Sequence, residues 1–200
     1  MEKILNFIKE RMLEIAGLIT VAIGISFLYL MFNYTPNNPT LIFPNDNEVF
    51  WLFKYAVSFT DFTLQAFGLM AFGIAINFCF LGMQIGIKKK ISTSISFLLI
   101  TLYLVFGSLF FTINNDQSFW LSTNGNGGFL GSYLLTLMSS FSLNLNIVTY
   151  ASAVLALIFF ILSLGLSFSN WKNIFKAIYK PFTFLKSKIL NHQSNSQDQE

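Results

Sequence analysis

Charge is what this chain has least of. Asp, Glu, Lys and Arg make up only 10% of its 200 residues, against 54% hydrophobic and 18% aromatic. A soluble domain carries about 25% charged residues. So few charges cannot cover a water-facing surface of this size, which makes lipid the main solvent of the chain. Cysteine is almost missing as well. Cys79 stands alone in an apolar run, so an intrachain disulfide is excluded and the residue reads as a small hydrophobe. His192 is the only histidine, and no cluster of Cys, His and carboxylates supplies the converging ligands of a zinc or iron site. No metal and no cofactor is expected.

Catalytic signatures are also lacking. The sequence contains no Gly-x-Ser-x-Gly, no paired carboxylates within an apolar run and no nucleophile beside a histidine. It contains no Gly-x-x-x-x-Gly-Lys-[Ser/Thr] phosphate loop either. The reading is of a chain that is not an enzyme, with no catalytic residues.

What is present is four long apolar runs. A helix rising ~1.5 Å per residue needs about 20 apolar residues to cross a ~30 Å hydrocarbon core. Spans are predicted over 15–32, 64–87, 91–113 and 147–168, none with a charged residue. The strict alternation of a β-barrel is not seen. The first run is too long for a cleaved signal and ends without a small-residue cleavage pattern. Positive charge then sets the orientation. Lys3, Lys9 and Arg11 precede the first span, Lys88, Lys89 and Lys90 lie between the second and third, and five lysines follow the fourth. Eleven of the twelve basic residues thus fall on one side, the cytoplasmic one, with Lys54 the exception.

The fold class expected is an all-α integral membrane protein with four transmembrane helices, both termini cytoplasmic, and short interfacial helices on the outer face. Its parts are a cytoplasmic segment 1–12, a membrane domain 13–170, a basic juxtamembrane segment 171–190 and the start of a polar linker 191–200. Residues 34–50 read as a turn-rich outer loop, and 51–63 as an interfacial helix leading into the second span. Residues 129–146 are apolar but broken by Ser and Asn, which fits an amphipathic or re-entrant helix. Lys172, Lys176 and Lys180 recur every four residues and so share one helical face, suited to anionic lipid headgroups.

Several residues invite a functional reading. Asp61 lies beside the start of the second span, either as an interfacial helix-start carboxylate or as part of an ion path. Gln65, Asn77 and Gln84 follow along that span, as packing contacts between helices or as a substrate path. Asp61, Asn77 and Gln84 together would make the alternative function, a small four-span transporter or channel. Glu14 pairs with Arg11 on the helix surface. Gly82 and Gly86, with other small residues four apart, suit close helix packing. Gly125, Gly127, Gly128 and Gly131 crowd into one turn before residues 132–138, where glycine serves tight turns and close approach. The charge distribution puts this turn on the outer face, and no lysine follows it, so it is not a phosphate cradle.

Three patches in order carry a family resemblance. They are Arg11-Met-Leu-Glu-Ile-Ala16 with the exit Asn33-Tyr-Thr-Pro-Asn-Asn-Pro39, then Thr60-Asp61 with Ala66-Phe67-Gly68, then Gly127-Gly128-Phe129-Leu130-Gly131. They are similar to a Ser-Phe-x-Pro-x-Asp-Pro exit, an Ala-Asp before an apolar-Phe-Gly, and a Gly-Gly-x-x-Gly. Over roughly residues 10–180 the chain resembles the N-terminal four-span domain of the FtsK/SpoIIIE bacterial DNA translocases. It departs from that pattern at Ala56, in place of a glycine, and at Asn38, in place of an acidic residue. The resemblance implies a membrane anchor at the division septum of the bacterial cytoplasmic membrane. It implies membrane lipids and cell-division proteins as partners, self-association as a hexamer through a cytoplasmic motor, and no direct contact with nucleic acid by this segment. The implied role lies in cell division and chromosome partition.

Overall fold

The computed structural model describes residues 2–35, 51–88, 94–114, 121, 124–141 and 144–165. Every element in them is helical: α1 Glu2–Phe32, α2 Trp51–Phe67, α3 Ala71–Lys88, α4 Ser94–Asn114, α5 Gly128–Ser139 and α6 Leu145–Ser163. Four segments are long and apolar enough to cross a bilayer, Lys3–Phe32, Trp51–Ile87, Ile95–Asn114 and Leu145–Ser163. The fold is an all-α membrane protein with four candidate spans.

Local chemistry suits these helices to lipid. Hydroxyl groups along them donate back to carbonyls of their own helix: Thr20 to Ala16 O at 2.8 Å, Thr60 to Ala56 O at 2.8 Å, Thr101 to Phe97 O at 3.1 Å and Thr149 to Leu145 O at 2.7 Å. In hydrocarbon such self-satisfaction removes the cost of an unmet polar group. Helix ends are closed in the same spirit. Asn33 Nδ2 donates to Tyr29 O at 2.8 Å, and Asn144 Oδ1 accepts from Asn146 N at 3.1 Å at the start of α6.

The spanning helices pack as two antiparallel pairs. In the first, α1 meets α3 at almost bare backbone: a Cβ placed on Gly17 would lie 2.6 Å from Gly82 O, and one on Gly24 would lie 2.8 Å from Cys79 N. Small residues at this seam allow the close approach on which membrane helices rely, since lipid provides no hydrophobic drive between them. In the second, α4 meets α6 through rings, with Tyr103 edge-on to Phe160 at 5.3 Å and Phe106 stacked on Phe159 at 5.8 Å. Polar contacts join the pairs. Asn77 of α3 donates to Gly73 O at 2.9 Å and lies 3.4 Å from the Tyr103 hydroxyl, while Ser163 Oγ donates to Asn77 Oδ1 at 3.0 Å. The start of α1 and the end of α6 both lie beside the last turns of α3, so they share one end of the bundle.

At the opposite end, the second span is not one straight helix. Residues 64–67 belong to α2 together with 51–63, and a 3-10 turn over Gly68–Met70 breaks the expected run 64–87. The reason is Gly68, whose φ of 59° no helix continues through. The Leu69 N–H freed near the break is taken up by Asn126 O at 2.9 Å, so the interruption carries no buried orphan. From the break α2 leans on the end of α1, where Phe27 and Phe59 rings lie 5.2 Å apart. Phe27, Met31, Tyr34, Leu64, Ala71, Ala75 and Leu121 form a buried core there.

Other boundaries also move. α1 begins at Glu2, so the described part of segment 1–12 is continuous with the span. The stretch 129–146 is divided, with α5 ending at Ser139 and Asn144 capping a new helix. α6 stops at Ser163 instead of 168, because Gly165 at φ 60° closes it in a left-handed C-terminal turn. The outer loop 36–50, the basic segment 171–190 and the linker 191–200 lie outside the described residues.

Candidate functional site

The glycine turn is built from left-handed backbone and close approach. Gly125 and Gly128 have φ of 66° and 67°, a region that costs an L-residue about 1–2 kcal/mol. Close approach adds to this. A Cβ on Gly128 would lie 2.5 Å from Gly68 N and 2.7 Å from Ala66 O, so the two glycine turns touch backbone to backbone. On the other side, Gly127 and Gly131 face Thr112 Oγ1 and the Ser108 carbonyl of α4, again with no room for a Cβ. Ser108 Oγ in turn donates to Phe67 O at 3.1 Å. Gly125, Asn126, Gly127, Gly128 and Gly131 are all buried. The turn is therefore inserted between the end of α2, the Gly68–Met70 turn and α4; it is not displayed on the surface.

A chain of side chains runs from this turn to a carboxylate. Asn124 Nδ2 donates to Gln65 Oε1 at 3.0 Å, Gln65 Nε2 donates to the Tyr34 hydroxyl at 3.3 Å, and that hydroxyl donates to Asp61 Oδ1 at 2.5 Å. All three bonds point the same way, toward the acid, an arrangement in which each bond polarises the next. It fastens Tyr34, two residues past the end of α1, to α2 and to the glycine turn. Burial and the bond to Asp61 push the Tyr34 hydroxyl up from its ordinary 10.0 to about 12, which keeps it protonated as a donor. Asp61 itself lies in the middle of α2, not at a helix start, and it has a side-chain donor of its own.

The residues that a transport path would join do not meet. Asp61 belongs to the network at the glycine turn, whereas Asn77 and Gln84 line a separate cleft between α3, α4 and α6. Gly68 is the break itself. Gly82 packs against Gly17 and Val21 of α1, while the space where a Cβ on Gly86 would point is open. Arg11 and Glu14 form an ion pair one turn apart on α1. Lys172, Lys176 and Lys180 lie outside the described residues. Among the described residues no group of three or more His, Cys, Asp and Glu side chains could hold a metal.

Sequence reasoning missed Ser108, Thr112, Tyr103 and Ser163. A signal existed in Gly107-Ser108 followed by Thr112, small polar residues four apart inside an otherwise apolar span. Outside the turn, the same end of the bundle keeps large apolar side chains exposed. On α2 these are Trp51, Phe53, Tyr55, Phe59 and Phe62, and on α5 Phe129, Tyr133 and Leu137. The Phe129 and Tyr133 rings stack at 6.2 Å, and Trp51 meets Tyr55 edge-on at 6.0 Å. Exposed rings of this kind suit a lipid interface or a protein partner.

Comparison with known proteins was made at three levels. Neither a search of curated proteins nor one of solved structures found a match. The family model for the 4TM region of DNA translocase FtsK/SpoIIIE matches residues 9–178. That match covers α1 from residue 9 on, the five helices after it, the break at Gly68 and the glycine turn, and with it the chain belongs to the four-transmembrane region of the FtsK/SpoIIIE DNA translocases.

Proposed function

We propose that this chain anchors a DNA translocase in the bacterial cytoplasmic membrane at the division septum, where it also offers a contact surface to other division proteins. It acts in cell division and chromosome segregation without catalysing a reaction itself. The observation that carries this reading is the family match over residues 9–178, laid along four candidate spans. Three features support the finer points. Among the described residues Lys3, Lys9 and Arg11 of α1 and Lys88 at the end of α3 lie toward the end of the bundle that holds the start of α1 and the end of α6, which favours a cytoplasmic position for that end and for a motor attached there. The exposed rings of α2 and α5 at the other end are suited to partner contact outside. Lys172, Lys176 and Lys180 would hold anionic lipid, so the basic charge serves the membrane and not nucleic acid. Self-association follows from the motor, not from these spans.

A swap tests the proposal. A motor of this family is tethered either to this chain or to an unrelated four-span segment of the same topology, in cells lacking their own translocase. The expected outcome is that division and chromosome segregation recover only with this chain. Equal recovery with the unrelated segment would leave a plain anchor and remove the contact role.

A further inference from the structure

Beside the contacts that tie α3, α4 and α6 together, these helices leave a half-open cleft of about 570 Å³. That size lies within the ~300–1,000 Å³ of small-molecule sites. Its wall is mainly apolar, with Phe78 and Leu81 from α3, Ile100 from α4 and Leu164 beyond α6. Along α3 it runs from Ile74 to Gln84, a helix rise of ~15 Å. That is half of the ~30 Å hydrocarbon core, the depth of a single leaflet.

The two ends of the cleft differ. At the deep end Asn77 and Ser163 bond each other, and Asn77 also bonds Gly73 O and meets the Tyr103 hydroxyl, so their polar groups are met within the protein. At the shallow end, one turn from the end of α3, Gln84 Nε2 donates to Leu164 O. Its amide rests on Gly165, where a Cβ would stand 2.8 Å from Nε2 and 3.0 Å from Oε1. The amide is held in place, and among the described residues no donor meets its oxygen. Water in the apolar part would lack the ~2–4 polar partners it needs, and an empty slot would forfeit dispersion contacts along its wall. The solvent at this depth is acyl chain.

We propose that the cleft binds one acyl chain of a phospholipid, laid along Phe78, Leu81 and Ile100, with an N–H or O–H donor of its headgroup bonded to Gln84. Ethanolamine and glycerol headgroups both carry such a donor, and choline carries none. The test reconstitutes the full chain in vesicles containing a phospholipid with a photoreactive acyl chain, in ethanolamine, glycerol and choline arms, and maps labelled residues by mass spectrometry. Val154 and Leu157 on α6, 56% and 62% exposed, report ordinary lipid contact. Leu81 and Ile100 are expected to label above them, with the excess about fivefold larger for a donor headgroup than for choline, the factor expected of one hydrogen bond. The ethanolamine and glycerol arms then say which headgroup is preferred. Leu81→Trp, which fills the slot, is expected to remove the excess at Ile100, and Gln84→Leu, which also gives up the bond to Leu164 O, to remove the headgroup preference. Labelling of the wild-type chain that follows exposure alone, or an excess indifferent to headgroup, overturns the proposal.

Discussion

At Gly128 two requirements coincide, a left-handed φ and a space too small for any Cβ, and each has a cost that a substitution must meet. Gly128→Val is expected to destabilise the fold by on the order of 2 kcal/mol or more, from backbone strain and overpacking against Gly68 and Ala66. Thermal denaturation in detergent should show the loss, and reporter fusions should show insertion and topology unchanged; a melting temperature equal to wild type would mean that the turn's shape is immaterial. The glycines of α3 make a sharper pair. A Cβ on Gly82 meets Gly17 O and Val21 N at 2.6 Å, both backbone atoms, so Gly82→Ala must push α1 away, at ~1–3 kcal/mol. Gly86→Ala meets nothing and gains up to about 1 kcal/mol of helix propensity. Sequence spacing treats the two alike; only their partners separate them. For Tyr34 the sign follows from its proton. Its folded value of about 12 stands above the ordinary 10.0, so its contribution is whole below about pH 10 and is lost as pH rises through about 12. Tyr34→Phe is expected to cost about 1–3 kcal/mol at neutral pH by leaving Asp61 and Gln65 without their shared partner. It should also remove this alkaline loss from a pH series of melting temperatures. An identical alkaline fall in the variant would place its origin elsewhere.

Among the elements, the spanning helices were the most legible in the sequence, because apolar length is a property of the run itself. The break at Gly68 was less so. Residues 64–87 carry no charge, and one of four glycines inside a run does not announce a left-handed turn; what fixes it is Asn126, some sixty residues on, accepting the Leu69 N–H. The glycine cluster stood out at once, yet its destination did not. Nothing local to residues 125–131 says that Ser108 and Thr112 of α4 will lie against them. Likewise nothing near Asp61 chooses between a helix-start carboxylate and part of an ion path; its donor is Tyr34, from the other side of the loop. Residues that meet across elements are the ones a single chain hides. The tie between the two helix pairs offers a test at this scale. Ser163→Ala removes the donor to Asn77 Oδ1, and an interhelical bond of this kind contributes about 0.6–1.7 kcal/mol. Steric-trap or denaturant unfolding of the variant should find a loss in that range. No loss would assign the α3–α6 tie to Gln84 and packing alone.

The whole molecule combines a spanning bundle with a ring-bearing end. Its α1/α3 and α4/α6 pairs supply the passage through the bilayer, joined by a few buried polar contacts. The glycine turn and the Asp61 network hold α2 and α5 at one end, so that their exposed rings form a fixed surface and not two loose segments. The family match gives the translocase context, and the proposed contact with division proteins is assigned to this ring-bearing end. The most direct measurement is where the chain goes on its own. Residues 1–200 carrying a fluorescent protein at the C-terminus, with no motor attached, are imaged in dividing cells. The account predicts collection at the closing septum, reduced toward an even membrane distribution by Gly128→Val. An even distribution of the well-folded wild-type chain around the whole cell membrane would contradict it.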